Sequence, residues 1–332
     1  MQDEIAAWPL PATFDANTLA LDHGHHLYYE QAGAPDGIPV LLLHGGPGSS
    51  STLRQREFFD AGKFRIVQFD QRGCGRSEPR GATAHNNTAA LIADIERLRE
   101  QLAIERWLVF GGSWGAALAL AYAAQHGQRV TGLVLRGVFL TGRADLDWFF
   151  HGAGTLLPEA HLRFIEQIPR RWRRSVVTYL DRSFQSGDTL KQSRLALEWQ
   201  RYESALSSPY VAPRAASSYA DSAVDAWRAT YTIQAHYLAH RCFLGEAAVL
   251  RAAASLRGIP VAIVHGTLDL VCRPTNAWRV HRACAGSRLA WAEGAGHDPY
   301  HPASKQLLRD AVECFAAQRD FAQWPSAAGA RA

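Results

Sequence analysis

Five residues, Gly111-Gly112-Ser113-Trp114-Gly115, restrict the architecture of this chain more than any other stretch. They follow the apolar run Trp107–Phe110 and lead into the Ala/Leu-rich segment Ala116–Gln125. A serine between glycines at a strand-to-helix junction sits on a sharp turn that pushes its side chain out of the sheet. The flanking glycines let neighbouring backbone approach without a Cβ clash. With glycine and serine each near 7%, roughly 0.1 such matches are expected by chance in a chain this long. The buried strand before the serine and the helix after it therefore carry the assignment.

The same strand-then-helix rhythm runs through much of the chain. Two short segments flank Asp22-His23-Gly24 within residues 19–32, an opening hairpin. Val40–His44 and Phe64–Asp70 read as buried strands, and residues 88–103 carry Leu91, Ile95, Leu98 and Leu102 at helical spacing. Gly132–Val138 is a further strand, as are Pro260–Val264 and Arg288–Ala292, and a helix spans 303–317. From about 142 to 250 the alternation gives way to helical sequence rich in Arg, Trp and Ala. The pattern predicts an α/β fold with a mostly parallel sheet flanked by helices and interrupted by an inserted helical cap. The expected division is a core over 1–141, a cap over 142–250, the second part of the core over 251–324 and a frayed tail over 325–332.

Bulk properties exclude several classes. At 332 residues, 47% hydrophobic and 20% charged, the chain has the make-up of a globular enzyme. Its net charge, 35 − 31 = +4, is spread along the chain. The run Arg170, Arg171, Trp172, Arg173, Arg174 comes without any nucleic-acid-binding motif and reads as a solvated surface. No stretch approaches the 18 or more apolar residues of a membrane span, and the opening MQDEIAAWPLP lacks the regions of a signal peptide. The cysteines, Cys74, Cys242, Cys272, Cys284 and Cys314, are odd in number and scattered, as expected of reduced thiols in the cytoplasm. No metal-ligand spacing is present, so neither metal nor cofactor is expected.

Serine is a poor nucleophile until an imidazole takes its proton, and that imidazole needs a carboxylate to fix its tautomer. With the serine on such an elbow, the acid and then the histidine follow it in the chain. Asp269 lies just after the Val261–Val264 strand, and His297 follows small residues after the last strand, in Gly294-Ala295-Gly296-His297. Asp298 is the nearest rival acid, but its place beside the histidine turns its side chain elsewhere. Two backbone N–H groups must also meet a developing oxyanion. The amides of Trp114, after the serine, and of Gly46, in His44-Gly45-Gly46-Pro47-Gly48, are the candidates.

Taken together, His44–Gly48, Asp70-Gln71-Arg72-Gly73-Cys74-Gly75-Arg76-Ser77, Gly111–Gly115, Leu133-Val134-Leu135-Arg136-Gly137-Val138-Phe139 and Gly294–His297 resemble the proline iminopeptidases, a branch of the α/β-hydrolases. The resemblance implies a cofactor-free serine aminopeptidase acting on short peptides or amides with a free N-terminal proline. It further implies that glutamates of the cap hold the substrate amine. One of them corresponds to Glu203 in Trp199-Gln200-Arg201-Tyr202-Glu203. The other corresponds to Gln234 in Ile233-Gln234-Ala235-His236-Tyr237, where the carboxylate has become an amide. Phe139 corresponds to a wall of the proline pocket. The amide at Gln234 weakens charge-assisted recognition of the amine and leaves open an esterase, an amidase or a broader aminopeptidase using the same triad. An aspartate-nucleophile chemistry is disfavoured by the serine at 113. The oligomeric state is not legible in the sequence.

Overall fold

The computed structural model describes residues 8–208 and 220–325. Residues 209–219, inside the expected cap, and 326–332, in the expected tail, lie outside the described residues. Among the described residues eight strands form one sheet: β1 (Thr13–Ala20), β2 (His26–Gly33), β3 (Ile38–Leu43), β4 (Phe64–Phe69), β5 (Trp107–Gly112), β6 (Val130–Arg136), β7 (Val261–Gly266) and β8 (Arg288–Ala292). Their spatial order is β1-β2-β4-β3-β5-β6-β7-β8. β2 is antiparallel to both β1 and β4, and every other neighbouring pair is parallel. The opening hairpin is present, but β1 begins at Thr13, earlier than the pattern suggested. Its sequence, TFDANTLA, lies mostly exposed at the sheet edge and carries no clean apolar alternation.

The central strands are apolar on both faces because both faces are covered. Leu41, Leu43, Val109, Leu133 and Leu135 point into one core with α1 (Thr88–Gln101) and α2 (Trp114–Gln125). Val40, Leu42, Leu108, Phe110 and Val134 point into the other, against the helix over Pro302–Gln318. Period-two alternation along each strand thus divides its side chains between two cores.

Between β6 and β7 the described residues are helical. They comprise α3 (Arg143–Asp147), a π-turn over Trp148–Gly152, α4 (Pro158–Glu166), α5 (Val176–Phe184), α6 (Thr189–Ser207), α7 (Asp221–Ala239) and α8 (Glu246–Ser255). Trp199, Tyr202, Phe164 and Tyr231 pack as a buried aromatic cluster among them. α7 sits directly on core loops. His236 Nε2 meets Asn86 O at 2.9 Å, and Tyr237 OH donates to Asn86 Oδ1 at 2.8 Å. The sequence boundary at 250 falls inside α8, which packs on α2 of the core. The basic run from Arg170 forms a short 3₁₀ turn between α4 and α5. α9 (Pro274–Ala283) and α10 (Pro302–Gln318) complete the chain around β7 and β8.

Candidate active site

Ser113 occupies the turn from β5 to α2 with φ 58° and ψ −121°. A side chain in that region of backbone space costs about 1–3 kcal/mol, held by the strand and helix on either side. Its N–H donates to Arg136 O at 3.0 Å, and its C=O accepts from Ala116 N at 3.0 Å. The turn is possible only because Gly115 lies against β3. A Cβ there would stand 2.2 Å from Leu43 O.

The loop after β3 reaches the same point. Gly46 has φ +109°, a conformation that L side chains rarely adopt. Among the described residues, neither the Gly46 amide nor the Trp114 amide has an acceptor. The Trp114 amide opens α2, where the first N–H groups lack helical partners and the positive end of the dipole lies. A buried relay braces loop and elbow. Trp114 Nε1 donates to Gln71 Oε1 at 2.9 Å, Gln71 Nε2 donates to His44 O at 3.0 Å, and Gln71 N donates to His44 Nε2 at 3.0 Å. Since His44 Nε2 accepts, Nδ1 carries the proton and donates to Gly45 O. Burial lowers the His44 pKa, in keeping with a neutral ring.

Asp269 stands on the turn after β7 and is almost wholly buried. Its Oδ1 accepts from the amides of Val271 and Cys272 at 2.9 and 2.8 Å, and its Oδ2 accepts from His297 Nδ1 at 2.7 Å. Burial alone would raise its pKa. The opposing His297 charge and hydrogen bond, with His265 and the Cys272 amide, outweigh burial and hold it below the usual carboxylate range. Asp298, the rival acid, caps the Tyr300 amide instead, at 3.0 Å.

Ser113 and His297 line one cavity of about 310 Å³ together with Gly46, Arg136, Gln200, Glu203, Tyr231, Gln234 and Tyr300. The polar neighbour of Ser113 Oγ is Cys272 Sγ, at 3.9 Å. The serine-to-imidazole hydrogen bond is not made here.

Glu203, on α6, and Gln234, on α7, face each other across that cavity. Tyr231 OH donates to Glu203 Oε2 at 3.0 Å and also lies 2.8 Å from Gln200 Oε1. Gln234 Nε2 donates to the same Glu203 oxygen at 3.4 Å. Burial raises the Glu203 pKa, and the two donors and His297 oppose it. Phe139 belongs to an adjoining, largely apolar recess of about 30 Å³ between Ser113 and Glu203, with Leu146, Phe149, Phe150 and Leu238.

All eight site residues named from the sequence, Ser113, Asp269, His297, Gly46, Trp114, Glu203, Gln234 and Phe139, thus gather at one end of the sheet and the face of the helices above it. Sequence reasoning did not name Tyr231, Phe149 or Phe150, and it gave Gln200 no role; these residues reach the site from elements far apart in the chain. It also gave no role to Arg136, whose Nη1 donates to His297 O at 3.0 Å. The Leu-Arg-Gly segment at the end of β6 was the available signal for that residue.

Among the described residues no group of three or more His, Cys, Asp or Glu is arranged to hold a metal ion. The five cysteines are unpaired. No described helix is long and apolar enough to cross a membrane.

The sequence model of the α/β-hydrolase fold matches residues 38–303. Solved structures share that fold: VinJ superposes with a TM-score of 0.65 at 17% identity, covering 92% of this chain and 99% of its own. A hydrolase from Pseudomonas aeruginosa gives 0.64 at 17%, covering 92% and 99%. Closer in sequence, a proline iminopeptidase of Xylella fastidiosa is 41% identical over 310 residues, 93% of this chain and 98% of that protein. The Neisseria gonorrhoeae proline iminopeptidase is 38% identical over 304 residues, covering 90% and 96%. With a relationship of that depth along nearly its whole length, on an eight-stranded hydrolase sheet, the chain belongs to the proline iminopeptidase family of α/β-hydrolase enzymes.

Proposed function

We propose that the protein is a serine aminopeptidase that releases N-terminal proline from short peptides or amides through an acyl-enzyme. The observation that carries this reading is the 2.7 Å contact of His297 Nδ1 with buried Asp269, at a cavity that Ser113 lines on one side and Glu203 on the other. In this reading Ser113 Oγ attacks the prolyl carbonyl while His297 Nε2 takes its proton. The amides of Gly46 and Trp114 hold the oxyanion. His297 returns the proton to the leaving amine, and water then releases proline by the same steps. Asp269 keeps the proton of neutral His297 on Nδ1 and stabilises the imidazolium.

The prolyl ammonium pairs with Glu203, with the Gln234 carbonyl as a neutral second acceptor, and Phe139 forms a wall for the ring. The small apolar recess favours a compact first residue over a long one. The described helices between 142 and 250 act as a cap on a core formed by the described residues of 1–141 and 251–324. Five unpaired thiols favour a reducing, cytoplasmic setting.

Hydrolysis of proline p-nitroanilide and its N-acetylated form, with Ser113→Ala as control, tests the reading. Cleavage of the free-amine substrate alone, lost in the variant, is expected. Gln234 leaves Glu203 as the one acid lining the 310 Å³ cavity among the described residues, which favours a second reading, an esterase, amidase or broader aminopeptidase with the same triad. Ser113-dependent cleavage of p-nitrophenyl acetate with no cleavage of the prolyl anilide would move the protein to that class.

A further inference from the structure

We infer that His265 is a positioning residue for Asp269, a neutral imidazole that holds the acid's loop and shares Asp269 Oδ2 with His297. The inference rests on the reading of Asp269 as the acid of the triad. His265 is the penultimate residue of β7, with its side chain wholly buried. Val138 N donates to its Nδ1 at 3.2 Å, so that nitrogen presents a lone pair. The proton of the neutral ring therefore sits on Nε2. It is given to Cys272 O at 2.8 Å, with Asp269 Oδ2 at 3.5 Å on the same edge. A charged ring would set an Nδ1–H against the Val138 N–H, donor against donor, so the hydrogen bonds themselves select one neutral tautomer.

That tautomer joins two parts of the site. Through Nδ1 it pins Val138, in the segment that leads from β6 into Phe139. Through Nε2 it pins the peptide of Cys272, whose own N–H holds Asp269 Oδ1. The Asp269 carboxylate is thus fixed at both oxygens, by two loop amides on Oδ1 and by His297 on Oδ2, with the edge of the neutral His265 ring 3.5 Å from that second oxygen. When His297 takes the serine proton, an acid that cannot rotate keeps the imidazolium aimed at the leaving group. Hydrogen bonds that fix such groups before the reaction cost nothing to reorganise during it. A histidine that merely filled the core would be served by any side chain of similar size, whereas His265 is served only by one that donates toward Cys272 and Asp269.

Two amide replacements separate these roles. Glutamine places its amide nitrogen near the imidazole Nε2 and keeps the donor. Asparagine places its amide oxygen near Nδ1 and keeps only the acceptor for Val138. With purified full-length protein and proline p-nitroanilide, His265→Gln is expected to retain kcat within about threefold. His265→Asn is expected to lose about tenfold or more in kcat with KM little changed. Thermal melting of both variants separates catalysis from stability. Equal kcat for the two, a loss that falls on KM, or a loss that follows Tm overturns the inference.

Should either variant fail to fold, nitrogen-15 histidine spectra of the unaltered protein at neutral pH decide. An Nε2–H tautomer is expected at His265, and an Nδ1–H or charged ring overturns it. Asp269→Ala run alongside keeps the readings apart. Full activity in that variant removes the triad assignment, while its inactivity beside an unimpaired His265→Asn removes only the role of His265.

Discussion

The main-chain N–H of His297 donates to the carbonyl of Ser207 at 3.2 Å, so the loop after β8 is fastened to the last turn of α6. One turn earlier on the same helix stands Glu203, whose carbonyl accepts from Ser207 Oγ at 2.9 Å. The helix that carries Glu203 also sets the height of the imidazole. Ser207→Pro, which distorts that turn, should therefore slow p-nitrophenyl acetate and proline p-nitroanilide together. Loss confined to the amine substrate would break the proposed link.

Asp269→Asn exchanges an acceptor for an amide and frees His297 to adopt the wrong tautomer. By the precedent of serine-protease triads, kcat should fall by about 10⁴-fold with KM little affected. Steady-state kinetics on proline p-nitroanilide measure this, and a fall of less than about tenfold would reassign the acid.

Glu203→Gln removes the charge but keeps the shape. KM for proline p-nitroanilide should rise about tenfold or more, while hydrolysis of p-nitrophenyl acetate stays near its original rate. Stability should move the other way. Burial holds the Glu203 pKa above the ordinary glutamate value. A carboxyl raised in this way costs stability as pH climbs past its unfolded value, and the cost is complete above the folded one. The variant should thus gain more Tm at about pH 8 than at about pH 4, where the carboxyl is largely protonated in both states.

Arg72 and Asp94 form a nearly inaccessible pair, with Nε and Nη2 donating to the two carboxylate oxygens at 2.5 and 2.7 Å. Burial already raises the Asp94 pKa against the pull of that guanidinium. Arg72→Met leaves the acid without its partner and should cost about 3–5 kcal/mol near neutral pH by urea unfolding. The penalty should shrink as pH falls and Asp94 protonates. A constant penalty across pH would assign the loss to packing.

How much of this was legible depended on whether the determining contact was local. The elbow at Ser113 and the strands near it could be read because a buried parallel strand is a short apolar run bounded by turns. Asp269 and His297 followed from chain order in the fold. β1 was started late because an exposed edge strand has no need of apolar residues. The pairing of Gln234 and Tyr231 with one oxygen of Glu203 was out of reach, since it depends on how α7 lies on α6.

The backbone of Ser113, with φ 58°, has a consequence for how this sequence can drift. A glycine at that position would relax the turn and improve the fold. With Ser113 as the proposed nucleophile, the most stable nearby sequences are therefore expected to be inert ones. Folding alone would let the residue go, and only a demand on its hydroxyl gives a reason to keep it.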